Sequence, residues 1–244
     1  MELSERVCVA QEMAEGAGAR VRRLFPSDQL HTYDPFVLLD EFFVDRTAGF
    51  PDHPHKGFEA ITYMLEGAFR HRDNLGNNTE VGAGGVQRFS AGSGIVHAET
   101  PGSAPLNHGF QLWINLPRER KTSAPAYQQV DPADIPVYHT AGYALREIIG
   151  PHSPVNHETP LLYVDVTIQG DATYENALPR DFRGFVYVYH GAITIQDTDI
   201  TERRALLLAH GESVRIAAHT ESRFILAAGR PHDQPIRIRG SFVD

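Results

Sequence analysis

A single cysteine stands among the 244 residues, so no intramolecular disulfide can form, a composition that fits a reducing compartment. Long apolar runs are missing as well. The longest, such as ALLLA at 205–209, falls far short of the ~20 residues that a bilayer-spanning helix needs. The opening MELSERVCVAQEMAEG has no basic segment followed by an apolar one, so no secretory signal is read and a cytoplasmic location is expected. Without that signal, the glycosylation pattern Asn77-Asn78-Thr79 reads as chance. Basic residues are scarce: 22 Lys and Arg against 31 Asp and Glu give a net charge of −9, which argues against nucleic-acid binding. The short group Arg118-Glu119-Arg120-Lys121 reads as solvated loop. Helical periodicity is weak, and the best candidate is a short helix at Pro132–Ile135 capped by Asp131.

What the chain has in quantity is turn chemistry alternating with strand-forming residues. Asn74-Leu75-Gly76-Asn77, Gly82-Ala83-Gly84-Gly85, Gly92-Ser93-Gly94 and His190-Gly191 punctuate segments such as ITYML, FQLWINL, LLYVDVTI, GFVYVYHGAITI, SVRIAA and RFILAA. That spacing predicts an all-β sandwich or barrel. The glycine clusters match neither dinucleotide nor P-loop spacing and read as turns, and Ser93 lies outside a nucleophile-elbow frame. Residues 117 to about 138 carry Pro117, Pro125, Pro132 and Pro136 and few large apolar side chains, as a linker would. The halves on either side share a rhythm. YMLEGAF (63–69) resembles YVYHGAI (187–193), and GAGGVQRFSAG (82–92) resembles AHGESVRIAAH (209–219), which suggests a repeated β-domain.

Two histidine-bearing motifs raise a metal question. Residues i and i+2 of a strand share a face, so His53 and His55 would project together as cis ligands. His97 and Glu99 repeat that spacing directly after Gly92-Ser93-Gly94. Three imidazoles and a carboxylate suit Fe(II), Mn, Ni, Co, Cu or Zn and suit Ca or Mg poorly. Glu59 has the parity of His53 and His55 and stands in reserve, as either a rival ligand or a carboxylate supporting the site.

DPFVLLDEF (34–42), FPDHPHKGFEAITYMLEG (50–67), DNLGNNTEVGAGGVQRFSAGSGIVHAE (73–99), GFQLWINLP (109–117), PLLYVDVTI (160–168) and PIRIRGSFVD (235–244) together resemble the pirin family of the cupin superfamily. The resemblance implies two tandem cupin barrels of the double-stranded β-helix, or jelly-roll, type. It divides the chain into a metal-binding cupin domain at 1–120, a linker at 121–140 and a degenerate cupin domain at 141–244. It implies one iron or similar divalent metal held by His53, His55, His97 and Glu99, favouring Glu99 over Glu59. Aligning Gly67 with Gly191 puts Ala177 and Pro179 where His53 and His55 stand, and His219-Thr220-Glu221 finds no partner pair, so one metal per chain is expected.

Some pirin-like proteins are similar in activity to quercetin 2,3-dioxygenase, which opens the central ring of a flavonol with dioxygen and releases carbon monoxide. The resemblance therefore implies a flavonol and O2 as partners, with Glu99 as the catalytic proton acceptor. Other pirin-like proteins are iron-bound, redox-sensing regulators that bind a protein partner, and that reading needs the same four ligands. The same pocket acting on another small molecule is a third reading.

Phe50, Phe58, Met64, Phe110 and Trp113 are core or pocket wall, and Gln111, Trp113 and Asn115 share a face by parity. His31, His71, His108 and His190 are read as surface residues or as partners behind the ligands, and Cys8 as a small strand residue. Asp40 and Glu41 are read as partners for turn backbone.

Overall fold

The computed structural model describes residues 6–244. Val, Ile, Phe and Tyr alternate with polar residues across most of the chain, and this period-two pattern folds as antiparallel strands throughout.

One compact unit comprises Gln11–Ile135, Pro154–Thr159 and His232–Asp244. Its seven-stranded sheet runs in the spatial order Ala126–Val130, Val86–Ser90, Phe58–Glu66, Leu106–Asn115, Phe36–Asp45, Ala19–Phe25 and Gln11–Glu15. Its four-stranded sheet runs Phe50–His55, Ile95–Pro101, Ala68–Asp73 and Asn78–Gly82. The other unit comprises the described residues through Ala10, with Pro136–Ser153 and Pro160–Pro231. It repeats the wiring strand for strand. Val7–Val9, Arg204–Leu208, Arg183–His190, Glu221–Gly229, Leu161–Gln169, Tyr143–Ile149 and Val137–His139 form seven strands, and Ala172–Ala177, Ser213–Ala218, Ala192–Ile195 and Thr198–Thr201 form four. Each unit is a cupin barrel.

These units differ from the expected division in three places. The strand containing the buried Cys8 pairs with Arg204–Leu208 of the second barrel. The last thirteen residues, with buried Val243, belong to the first. The expected linker contains the strand Ala126–Val130, which pairs with Val86–Ser90 in the first barrel's sheet. Sequence proximity does not decide which barrel buries an apolar side chain, and the edge strand of each sheet is free to come from a distant part of the chain.

The expected helix at 132–135 is a turn closed by the Asp134 N–H donating to the Asp131 carbonyl at 3.0 Å. Four residues with one such bond cannot repay helix nucleation. A 3-10 turn forms instead at Arg118–Arg120. It positions Lys121, whose half-buried ammonium donates to the carbonyls of Gly57 and Val243 and to Asn115 Oδ1. Lys121 is therefore a structural tie rather than solvated loop, and burial lowers its pKa to about 8.

Among the described residues, no helix is long and apolar enough to cross a membrane. The second barrel is filled by an apolar cluster that includes Tyr174, Leu178, Ile195, Val214, Ile216 and Phe224. The first barrel has apolar clusters around Phe42 and Phe69 and around Phe58 and Phe89, and it buries three histidines.

Candidate metal centre

Phe50–His55 is an edge strand carrying Pro51 and Pro54, which an edge tolerates because no neighbour needs their missing N–H. His53 and His55 flank Pro54 and share a face. Across the ladder, His97 is the register partner of His53, and Ile95 is that of His55. The pairing brings the rings of His53, His55 and His97 together, and one ring nitrogen from each lies within 4.8 Å of the other two. His53 Nε2 and His97 Nε2 are 3.1 Å apart.

The hydrogen bonds behind the rings set their tautomers. His53 Nδ1 lies 2.7 Å from the Pro51 carbonyl and His55 Nδ1 lies 3.1 Å from the Ser241 carbonyl. A carbonyl only accepts, so each Nδ1 carries the proton and each Nε2 presents a lone pair. Packing fixes the rings further: His55 stacks on Phe89 with centroids 5.5 Å apart and meets Phe58 and Trp113 edge-on. Burial, then the neighbouring His53, lowers the His55 pKa to about 3, and burial with neighbouring His55, His53 and His71 lowers that of His97. The Nε2 lone pairs of His53 and His55 are thus available beside His97, in a set of three imidazole donors. This donor set therefore fits a borderline divalent metal.

Glu99 is buried, and its nearest ligand-type neighbours are His97 and His71. Donor atoms of these three residues also lie within 4.8 Å of one another, so His97 belongs to both groups. Glu99 Oε1 accepts from Thr62 Oγ1 at 3.2 Å, and Glu99 Oε2 accepts from Gln111 Nε2 at 3.1 Å. Gln111 is oriented in turn by the Trp113 indole N–H, which donates to its Oε1 at 3.3 Å. Burial raises the Glu99 pKa to about 7 against the opposing pull of the Thr62 and Gln111 hydrogen bonds.

His53, His55, Glu99, Gln111 and Trp113 open on a cavity of about 620 Å³, walled also by Val37, Leu38, Phe42 and Phe50. Phe50 and Trp113 are thus pocket wall. Phe58, Met64 and Phe110 are fully buried core. Asn115 leaves the Gln111–Trp113 face, because the register shifts between Trp113 and Ile114, and its side chain accepts from Lys121 instead.

Other candidates resolve by their partners. Glu59 lies away from the cluster, bound to the Arg88 guanidinium and accepting the Glu158 N–H at 2.9 Å. Asp40 pairs with Arg23 and Glu41 with His108 and Arg22, so side chains rather than turn backbone satisfy them. His31 and His190 are exposed. His71 is the residue that spacing alone undervalued. It is 1% exposed, its Nδ1 lies 3.3 Å from His97 Nδ1, and its Nε2 lies 2.9 Å from Asp73 Oδ2. The available signal was the His71/Asp73 i, i+2 pair on a strand whose burial alternates.

Among the described residues, the second barrel has no counterpart. Strand pairing sets Glu99 opposite His71 in the first barrel and Ile216 opposite Ile195 in the second, and His71 and Ile195 each lie four residues after the matched glycine. Two residues back, His97 opposite His53 corresponds to Val214 opposite Asn176. His55 then corresponds to Leu178. The glycine-anchored alignment, which gave Ala177 and Pro179, is one residue out on this strand because loop length intervenes. His219 is exposed and meets Asp171 in a surface pair at 3.1 Å.

The pirin profile matches residues 18–114, and the pirin C-terminal cupin domain profile matches residues 163–244. A pirin-like protein of Caulobacter vibrioides is 36% identical, with 98% of this chain and 91% of that one covered.

The chain belongs to the pirin family.

Human pirin is 37% identical to this pirin, with 96% of this chain and 85% of that one covered. A crystal structure of quercetin 2,3-dioxygenase from Acinetobacter baumannii superposes on it with a TM-score of 0.90 at 29% identity, covering 97% of this chain and 90% of that one.

Proposed function

We propose that this pirin holds one divalent metal, Fe(II), through His53, His55, His97 and Glu99, and that it catalyses dioxygen-dependent opening of a flavonol ring with release of carbon monoxide. The observation that carries the reading is the convergence of three imidazoles, two of which, His53 and His55, open on a cavity of about 620 Å³. That size suits a small planar ligand, and the wall combines apolar surface with a few directed polar groups. Similarity to a quercetin 2,3-dioxygenase supports the substrate class.

Each side chain has a task. Trp113, Phe50, Val37 and Leu38 offer flat apolar surface to an aromatic ring. Glu99, bound to the metal or transiently released, takes the proton of a phenolic hydroxyl as a general base. Gln111, held by Trp113, keeps the Glu99 carboxylate aimed. A bound divalent metal would supply Lewis acidity at the phenolic oxygen and a redox partner for dioxygen. The protein fixes the geometry of three donors by hydrogen bonds and ring packing, so little reorganisation is needed when the site is filled.

Metal analysis of the purified protein, with oxygen uptake and carbon monoxide release on adding quercetin, tests the proposal. One equivalent of metal and stoichiometric carbon monoxide are expected, and both should be lost in His55→Ala. Metal-loaded protein that consumes no oxygen with any flavonol would overturn the enzymatic reading and leave the metal site standing.

A further inference from the structure

We propose that Asp73 and His71 form a hydrogen-bond chain that fixes the tautomer of His97 and thereby keeps its metal-facing nitrogen unprotonated. The inference rests on the reading of His97 as a ligand, but its first test does not.

The chain can be followed atom by atom. Asp73 Oδ2 lies 2.9 Å from His71 Nε2, and both side chains are buried. Asp73 Oδ1 accepts the backbone N–H groups of Leu75 and Asn77, and the Asn77 amide donates to both oxygens. These donors satisfy the carboxylate as an acceptor, so His71 must donate from Nε2. A neutral His71 then has only a lone pair at Nδ1. That atom faces His97 Nδ1 at 3.3 Å, so the proton between them belongs to His97. With Nδ1–H on His97, its Nε2 carries the lone pair that faces His53 Nε2 at 3.1 Å. If the chain ran the other way, His97 Nε2–H would point at the other two ligands and occupy the space of a cation.

Position is fixed as well as polarity. The His71 ring stacks on Tyr127 at 4.2 Å, and Tyr127 shares a hydrogen bond with Thr79 at 2.6 Å. His71 is thus held from below by Asp73 and from the side by an aromatic ring. A metal-ligating histidine usually has its other nitrogen held by a carboxylate, carbonyl or water. Here the carboxylate acts from one imidazole further away, and the two ligands on the edge strand use backbone carbonyls instead. His71 and Asp73 are positioning residues: neither lines the cavity.

Two experiments test the chain. In the metal-free protein, long-range 1H–15N correlation spectra report which nitrogen of His97 is protonated. The expected result is Nδ1–H in the wild type and a shift toward Nε2–H in Asp73→Asn, whose amide can donate to His71 Nε2 and reverse the chain. A turn-stabilising role for Asp73 would not move that signature. Wild-type His97 found as Nε2–H would overturn the proposal. Second, nickel(II) affinity is measured by competition with a chromogenic chelator. His71→Phe keeps the stacking on Tyr127 and removes the acceptor, so affinity is expected to fall roughly 10–100-fold, with no further loss when Asp73→Asn is added. Unchanged nickel affinity in a folded His71→Phe protein would overturn the inference. If His71→Phe does not fold, the wild-type tautomer decides the matter alone. Nickel binding that survives His55→Ala would instead count against the ligand set, which keeps the two failures distinguishable.

Discussion

The two barrels of this pirin share one wiring diagram and differ in what fills them. Both have seven strands in one sheet and four in the other, in matching order. Where the first places His53, His55, His71, His97 and Glu99, the second places Asn176, Leu178, Ile195, Val214 and Ile216. The second barrel shows what the fold requires: apolar side chains pointing inward from paired strands. The first shows what a site adds. Buried imidazoles and a buried carboxyl displace apolar packing, and each must be satisfied by a directed partner such as the Pro51 and Ser241 carbonyls, Thr62, Gln111 or the His71–Asp73 pair.

The largest expected effect comes from giving the first barrel the second barrel's interior. A His55→Leu, His97→Val double variant should lose metal below detection and lose any flavonol turnover, while its circular dichroism stays that of a folded β-protein, because the second barrel folds with those residue types in those places. Retention of one equivalent of metal by the double variant would place the cation elsewhere.

The difference between the barrels explains what sequence reading could reach. Strand–turn alternation follows from side-chain period and turn chemistry, so the all-β class and the repeat were legible. The H-x-H and H-x-E spacings were legible for the same reason, since parity on a strand is local. What a local reading could not supply was pairing register. Register brings His71 beside His97, shifts the second-barrel match from Ala177 and Pro179 to Asn176 and Leu178, and assigns residues 6–10 and 232–244 to opposite barrels from those their position suggests. Glu59 shows the same limit. Its parity is that of His53 and His55, but it lies on the strand Phe58–Glu66, in a different sheet, where Arg88 claims it.

Glu59 gives the next largest effect. The Arg88 guanidinium is almost wholly buried, with its Nε 3.2 Å from Glu59 Oε1. Glu59→Ala would leave that cation without its main partner, at a cost of about 3–5 kcal/mol, measured by urea unfolding. The metal content of the surviving folded protein should not change. Loss of metal without loss of stability would make Glu59 a ligand after all. In the second barrel, Leu207 takes the corresponding place opposite Phe185, as Arg88 lies opposite Ile61, so that position holds no comparable buried pair.

A third difference is pH. The buried histidines among the described residues all lie in the first barrel. Metal-free His55 stays neutral in the fold down to about 3, whereas the unfolded chain takes up a proton near 6.5. Between those values the unfolded state binds more protons. The stability is therefore complete above 6.5 and lost as pH falls, by about 1.4 kcal/mol per pH unit for this one group. Glu99 works in the opposite direction. The fold keeps its proton up to about 7 and the unfolded chain releases it near 4.5, so its contribution is complete below 4.5 and lost as pH rises. Between 4.5 and 6.5 the two slopes oppose each other, so urea unfolding of the metal-free protein from pH 4 to 8 should show stability falling more steeply with pH in His55→Leu, and rising more steeply in Glu99→Gln, than in the wild type. Ile216→Val in the second barrel should move the whole curve without changing its shape. A slope unchanged in both first-barrel variants would assign the titration to other groups.

The smallest effect should be the same in both barrels. Gly67 and Gly191 close equivalent turns, with φ of 75° and 76°. A Cβ would lie 2.4 Å from Asn107 Oδ1 in one and 2.6 Å from Ser222 Oγ in the other. Those two side chains do the same work. Asn107 Oδ1 accepts the Ala68 N–H at 2.9 Å, and Ser222 Oγ accepts the Ala192 N–H at 3.2 Å. Gly67→Ala and Gly191→Ala should therefore each cost about 1–2 kcal/mol from the left-handed backbone alone, plus whatever displacing the capping side chain adds. Thermal unfolding of the metal-free variants should give shifts of similar size, and the metal stoichiometry of Gly67→Ala should stay at the wild-type value. A cost confined to one barrel would mean that the matched glycines do not hold equivalent turns, and the residue-by-residue correspondence that pairs His97 with Val214 would lose its anchor.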